Sequence, residues 1–273
     1  MSGPPTLSVV VATYEQAPSL DAVLRALSDQ SDVAFEIVVA DDGSGPETAR
    51  LVERWRSRFG GRLQYAFQPD EGYRLARVRN LGASLTSGEL LVFMDGDVVP
   101  RRHFVRTLRR SGRAGWFVAG KRVMLSRDFS ERALGARLRF HRWTAARWGL
   151  LHRSDADGLE ALVPRDRRRV GRTGLPEFVP HAGGYGFLLG VWRDDFERVN
   201  GYDMRYVGWG AEDVDMGVRL HRLGLRCGWA GPQSALFHLW HETRKHGPRP
   251  NKPFLADTES GTRIRAIEGL AEL

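Results

Sequence analysis

The sequence has almost no cysteine: Cys227 is the one thiol in 273 residues. A lone thiol closes no internal bridge, so an ordinary apolar core must hold the chain, and a reducing cytoplasm is the expected compartment. No apolar run approaches the roughly 20 residues that span a bilayer. The opening MSGPPTLSVVVATYE lacks the charged start and long apolar stretch of a secretory leader. Internal repeats are absent too, which excludes solenoids and propellers.

What is present suits an α/β protein. The chain is 42% apolar and 27% charged, enough for one large α/β domain or two modest ones. The net charge of +8 is uneven, because the arginines crowd into the stretch from Arg101 to Arg172. Such a basic middle can decorate solvated helix faces, or it can meet nucleic acid, anionic lipid or a phosphorylated substrate.

The first half alternates regularly. LSVVVATY (7–14), FEIVVADDGSG (35–45), RLQYAFQP (62–69) and ELLVFMD (89–95) read as strands. PSLDAVLRALSDQ (18–30), PETARLVERWRSRF (46–59) and a segment near 73–86 read as helices between them. That alternation predicts a mostly parallel sheet flanked by helices. Ligands of such sheets bind beyond the carboxyl ends of the strands. The rule groups Thr13, Tyr14 and Glu15 with Asp41 and Asp42, and with Asp95 and Asp97. The second half is less regular. Residues 131–152 read as one helix, 154–177 as a surface segment with a basic cluster, 181–203 as a strand and a short helix, and a further helix starts at about Glu212.

Three short motifs carry chemistry. Asp95-Gly96-Asp97 follows a buried strand; its carboxylates suit a divalent cation, and Gly96 would let a phosphate approach the backbone. The plain alternative is a turn. In GWGAEDVD (208–215), Trp209 lies between two glycines, as in a loop that covers a sugar, and Glu212 and Asp213 open a helix. Helix caps are often acidic, but an aspartate there can also serve as a general base. HLWHE (238–242) sets His238 and His241 three residues apart, and imidazoles joining Asp97 would favour Mn2+ over Mg2+.

Together VVVATYE, EIVVADDGSG, ARVRNLGA, GELLVFMDGD and GWGAED resemble a family 2 glycosyltransferase of GT-A fold. The stretch GGYGFLLGVWRDDFERVNGYDMRYVGWGAEDVDMGVRLHRLG is similar to the C-terminal part of inverting β-galactosyltransferases and chondroitin-type polymerases. The resemblance covers about three quarters of the chain, with residues 125–180 unmatched. It implies a nucleotide-sugar-binding half at 1–124 and an acceptor-binding, catalytic half at 125–273. It places Tyr14, Glu15 and Asp42 at the base and ribose, with Asp42 on the uracil edge and Arg79 on the nucleotide or its phosphates. Many relatives have Asn where this chain has Glu15. Asp95 would touch ribose or metal, Asp97 would be the principal ligand, and either or both of His238 and His241 would join it. Asp213 would be the base and Glu212 an acceptor contact.

The expected reaction is a metal-dependent single displacement with inversion, from a UDP-sugar to a saccharide or lipid-linked acceptor, as in polysaccharide biosynthesis. Loop 203–211 would close over the donor. A nucleotidyltransferase is the rival enzyme, but VVVATYEQAPSL has no glycine-rich basic loop for a triphosphate. The non-enzyme rival uses the arginines on nucleic acid. No zinc-finger, RRM or basic-zipper pattern supports it, so nucleic acid is not expected as a partner. ALGARLRFHRWTAARWGLL (133–151) can be read as a helix packed on the sheet, or as a peripheral contact with an anionic membrane at its inner face.

Overall fold

A computed structural model describes residues 6–163, 186–242 and 250–273. The first half runs β1 (Leu7–Thr13), α1 (Ala17–Ser28), β2 (Phe35–Asp41), α2 (Pro46–Phe59), β3 (Leu63–Phe67), α3 (Leu75–Ser84) and β4 (Leu90–Asp95). Pro18 and Pro46 sit in the first turns of α1 and α2, where a missing N–H costs nothing. β5 (Val98–Pro100), α4 (Phe104–Ser111), β6 (Trp116–Ala119), β7 (Arg122–Leu125), α5 (Arg127–Gly135), α6 (Ala145–Leu151) and β8 (Ala156–Asp157) follow. Beyond the undescribed segment come β9 (Leu188–Trp192), α7 (Arg193–Arg198), α8 (Glu212–Arg222), β10 (Arg226–Gly228), β11 (Leu236–His238) and α9 (Lys252–Ser260).

Seven strands form the main sheet in the order β10-β6-β9-β4-β1-β2-β3. β1 pairs in parallel with both β2 and β4, whereas β9 runs antiparallel between β4 and β6. Every residue of β1 is buried, as expected of a central strand covered on both faces. Alternate side chains divide the core. Val9, Val11, Ile37, Val39, Val92 and Met94 pack with residues of α1 and α2. Val10, Ala12, Ala40, Leu91 and Phe93 pack on the other side with residues of α3 and α8, among them Val78, Met216 and Leu220. Each fully buried Val or Leu contributes about 1.5–3 kcal/mol. The sheet draws β1–β4 and β6 from the first half of the chain and β9 and β10 from the second.

A second sheet, β5-β11-β7-β8, lies beside the first. β11 pairs antiparallel with β5, setting His238 opposite Val98. Thus the strand that leaves Asp95-Gly96-Asp97 is tied to residues about 140 positions later.

The single helix expected over 131–152 is broken into pieces. α5 ends at Gly135, Arg137 takes a left-handed φ of 50°, and a short turn at Phe140–Arg142 precedes α6. Thr144 starts α6 afresh, its hydroxyl accepting from Arg147 N at 3.1 Å. Aromatic packing explains the break: Phe140 and Trp148 turn inward against Phe129 and Phe237, which one continuous helix would not bring together. The basic cluster of 154–177 and the start of the expected 181–203 strand lie outside the described residues. Among the described residues no helix is long and apolar enough to cross a membrane.

Candidate active site

The strand-end rule gathers the first half of the site. β1, β2 and β4 are in parallel register, with Thr13 opposite Asp41 and Ala12 opposite Asp95. Asp42 N donates to Thr13 O at 3.0 Å and Gly96 N to Ala12 O at 2.7 Å, so both acidic turns are pinned to the end of β1. Gly96 is required by this approach. A Cβ there would stand 3.0 Å from both Ala12 O and Thr13 Oγ1.

A small cavity of about 90 Å³ opens beside them, lined by Tyr14, Asp42, Asp70, Gly72 and Tyr73. Tyr14 donates to Asp70 at 3.0 Å. Asp42 is buried, and accepts from Gln68 and from Arg74 N at 2.8 Å. Burial raises its pKa against those hydrogen bonds. Its two oxygens keep lone pairs for a further donor. Glu15 faces elsewhere: its carboxylate accepts from Gly45 N at the start of α2, and its own N donates to Ser44 Oγ at 2.8 Å. It joins the β1 and β2 turns at a left-handed φ of 53°.

Arg79 points into the protein. Its side chain is 1% exposed and pairs with Asp95 at 2.8 Å and Glu212 at 3.3 Å, donates to Gly186 O, and stacks on Tyr202. Asn80, the next residue, exchanges two hydrogen bonds with the backbone of Tyr202, at 2.8 and 2.9 Å. α3 thereby clamps the chain that leads into α8.

α8 opens with the acidic pair. Glu212 is 5% exposed and Asp213 9%. Ala211, just before them, takes a left-handed φ of 78°, an uncommon conformation for a residue with a Cβ. Asp213 accepts from Val214 N at 2.9 Å and forms no ion pair with a described residue. Its Oδ2 lies 2.9 Å from where a Cβ on Gly186 would stand, so that glycine makes room for the carboxylate. Burial, and then the charge of Asp213, lift Glu212 to about 7. Burial lifts Asp95 to about 6, with the charges of Asp97 and Asp213 adding to the rise. Arg79 opposes both shifts. Trp209 is half exposed on the loop before α8, which is anchored by Gly208 N to Tyr73 O at 2.8 Å and by Asn251 to Gly208 and Gly210.

Asp97, His238 and His241 converge, with one donor atom from each lying within 4.8 Å of the others. Both imidazole Nε2 atoms face Asp97 Oδ2, at 3.7 Å for His238 and 3.3 Å for His241. The β5–β11 pairing causes this, with Leu239 N donating to Asp97 O at 3.0 Å. The Nδ1 of His241 lies 3.2 Å from Glu242 O, an arrangement in which Nδ1 donates and Nε2 faces Asp97. Asp97 Oδ1 is buried without a hydrogen-bond partner. Acceptors turned toward one another need a cation or a proton between them, and two imidazoles with one carboxylate suit a divalent transition ion. Hydrogen bonding to Asp97 raises the pKa of His241, whereas burial lowers that of His238.

The strand-end rule was not extended to the turn after β3, so Asp70, Gly72 and Tyr73 were missed; the Asp-Glu-Gly run was their signal. Nothing in the sequence pointed to Gly186 or Tyr202 as neighbours of the acidic pair.

A parallel sheet with an acidic edge, extended by a second sheet that returns histidines to it, is the GT-A architecture. The chain belongs to glycosyl transferase family 2, whose pattern matches residues 8–159. Residues 177–242 match a second family, described as the N-terminal domain of galactosyltransferase. Over 245 residues the chain is 33% identical to validoxylamine A glucosyltransferase of Streptomyces hygroscopicus subsp. jinggangensis (strain 5008), covering 81% of this chain and 52% of that one. Over 281 residues it is 25% identical to chondroitin synthase of Escherichia coli, covering 94% and 37%. It thus spans about half or less of these relatives. A mannosyltransferase of Pyrobaculum calidifontis, solved with GDP-Man and Mn2+, superposes with a TM-score of 0.57 at 18% identity, over 96% of this chain and 72% of that one. S. aureus TarS 1-349 with UDP gives 0.57 at 15%, over 85% and 60%. At those identities the likeness is one of fold.

Proposed function

We propose that this chain is an inverting transferase that moves a sugar from a UDP-sugar to a hydroxyl of a saccharide, glycolipid or lipid-linked acceptor. The observation that carries the reading is the convergence of Asp97, His238 and His241 beside Asp95, which in turn feels the charge of Asp213. A donor diphosphate fits that edge, and the small cavity at Tyr14, Asp42 and Tyr73 suits a one-ring base. Asp42 would accept the uracil N3–H. A neighbour solved with UDP and one solved with GDP-Man and Mn2+ support a nucleotide-sugar donor.

Asp97, His238 and His241 would hold the metal, with Mn2+ preferred for its tolerance of imidazole. Bound there, it would neutralise charge on the departing diphosphate. Asp213 takes the proton of the acceptor hydroxyl as that oxygen attacks the anomeric carbon from the face opposite the diphosphate. Arg79 holds Glu212 and Asp95 in place and Arg219 holds Asp215, which leaves Asp213 as the acidic group in α8's first turn with no ion pair to a described residue. Glu212 Oε2, buried and without a partner among the described residues, is placed to hold the acceptor. Trp209 would cover the sugar and exclude water. The boundary near residue 124 separates a donor-binding half from one that binds the acceptor. Within 133–151, Leu150 and Leu151 are 83% and 70% exposed, which supports a peripheral membrane contact that would bring in a lipid-linked acceptor.

Asp213→Asn tests the assignment. Transfer measured across a panel of UDP-sugars should fall by about 10²–10⁴-fold while UDP binding stays close to wild type. Turnover retained in Asp213→Asn would refute the base.

A further inference from the structure

A second cavity lies away from the acidic edge. It encloses about 620 Å³ and is lined by Asp21, Arg25 and Ser28 of α1, Arg54, Trp55, Ser57 and Arg58 of α2, and Arg137 and Arg139 beyond α5. In a strand–helix–strand unit the helices run back against the strands, so the C-terminal halves of α1 and α2 lie toward the strand starts. Asp42 and Asp95 are at the opposite edge.

Five arginines line this cavity against a single carboxylate. Asp21 is already shared, accepting from Trp55 Nε1 at 3.0 Å, from Arg137 at 3.2 Å and from Arg25. Arg139 is held by both oxygens of Asp29 at 3.1 Å. Arg54 and Arg58 form no ion pair with a described residue. Arg25 is 6% exposed, and its Nε is buried with no hydrogen-bond partner. Helix C-termini favour a basic residue in each last turn, but that does not account for Arg54, nor for Arg137 and Arg139 entering from another segment. Arg137 even holds a left-handed φ of 50°, where glycine or asparagine is the usual choice.

We propose that this cavity is a second binding site, for a phosphate-bearing ligand carrying at least two negative charges. Guanidinium groups grip phosphate oxygens through paired N–H donors, and Arg54 and Arg58 bring to the recess charge that Asp21 and Asp29, already held by Arg25, Arg137 and Arg139, do not balance. The half-buried face of Trp55 borders the same recess and would pack against the organic part of the ligand. A free polyphosphate and a phospholipid headgroup share this chemistry. The site does not depend on the transfer reaction, and either can fail without the other.

Titration of inorganic pyrophosphate in EDTA tests it, because a diphosphate at the acidic edge would lack its metal. Arg54 and Arg58 are exposed, so Arg54→Ala/Arg58→Ala should fold normally. Pyrophosphate should bind the full chain, and bind the double variant at least about tenfold more weakly. Pelleting with phosphatidylcholine vesicles, with and without phosphatidic acid, separates the sources. Capture only by phosphatidic acid, lost in the double variant, identifies a headgroup; pyrophosphate binding alone identifies a soluble ligand. Failure of both probes, or equal binding by the double variant, overturns the proposal.

Discussion

Arg79→Met removes the guanidinium that lies between the buried Glu212 and the partly exposed Asp95. Arg79 is 1% exposed and serves Asp95, Glu212 and Gly186 O together, so its loss leaves two acids facing each other with no counter-charge. Breaking a buried pair in this way costs about 3–5 kcal/mol when the stranded groups stay ionised. They have an escape, which is to bind protons. With Arg79 present, Asp95 already titrates at about 6 and Glu212 at about 7, both above their unfolded values. A carboxyl raised in the folded state binds more protons than its unfolded form, so its contribution is retained at low pH and lost as pH rises through the folded pKa. Removing the guanidinium raises both groups further. The penalty in Arg79→Met should therefore be about 3–5 kcal/mol at pH 8 and shrink to about 1–2 kcal/mol at pH 5, where protonation is cheap. Urea unfolding of wild type and variant at the two pH values reads the difference directly. A penalty below about 1 kcal/mol at pH 8, or one equal at both pH values, would refute the claim that Arg79 is there to hold charge.

Three other perturbations probe separate parts of the site. Asp97→Ala and His238→Ala should each abolish the thermal stabilisation given by Mn2+, worth about 2.7 kcal/mol in wild type at a hundredfold excess over Kd; an unchanged melting shift would remove them as ligands. Gly186→Ala places a Cβ 2.9 Å from Asp213 Oδ2, so kcat should fall about tenfold or more with donor KM unchanged, and wild-type kcat would show that the carboxylate has room elsewhere. Gly96→Ala puts a Cβ 3.0 Å from the strand oxygen Ala12 O and should destabilise by about 1–3 kcal/mol, seen as a lower urea midpoint.

The first half of the site was legible because its logic is local. Buried Val and Ile runs end in Asp, and parallel strands in register bring those ends to one edge, so Thr13, Asp42 and Asp95 follow from pattern alone. What joins them was not legible. The meeting of Asp97 with His238 depends on β11, three residues long, pairing with β5 across the whole second half of the chain. Arg79 finds Glu212 133 positions away. Resemblance brought these residues to notice, with Arg79 expected at the nucleotide; its burial beside Glu212 and its pairing with Asp95 were not legible. The break at 135–145 was hidden for a related reason: the residues are tolerable helix formers, and it is the distant Phe237 that draws Phe140 and Trp148 out of a single helix.

The same contacts explain why two aspartates separated by one glycine end up in different chemistry. Asp95 is the last residue of β4, so its side chain keeps the strand's alternation and points to the face where α3 and α8 pack. There it meets Arg79, and through Arg79 it is tied to Glu212. Gly96 then turns the chain against β1, and Asp97 emerges at the start of the second sheet, facing the imidazoles that β11 brings back. Had both carboxylates faced one way, their mutual repulsion would have raised one of them out of the ionised range, and a single cation would have had to serve both. Splitting them gives Asp95 a guanidinium and, in the proposed site, leaves Asp97 to a metal, while keeping them close enough that the charge of one still shifts the other. That residual coupling makes a further demand on the proposed reaction: binding a divalent ion at Asp97 should lower the pKa of Asp95, and so tighten its hold on Arg79 and on the helix that carries Asp213.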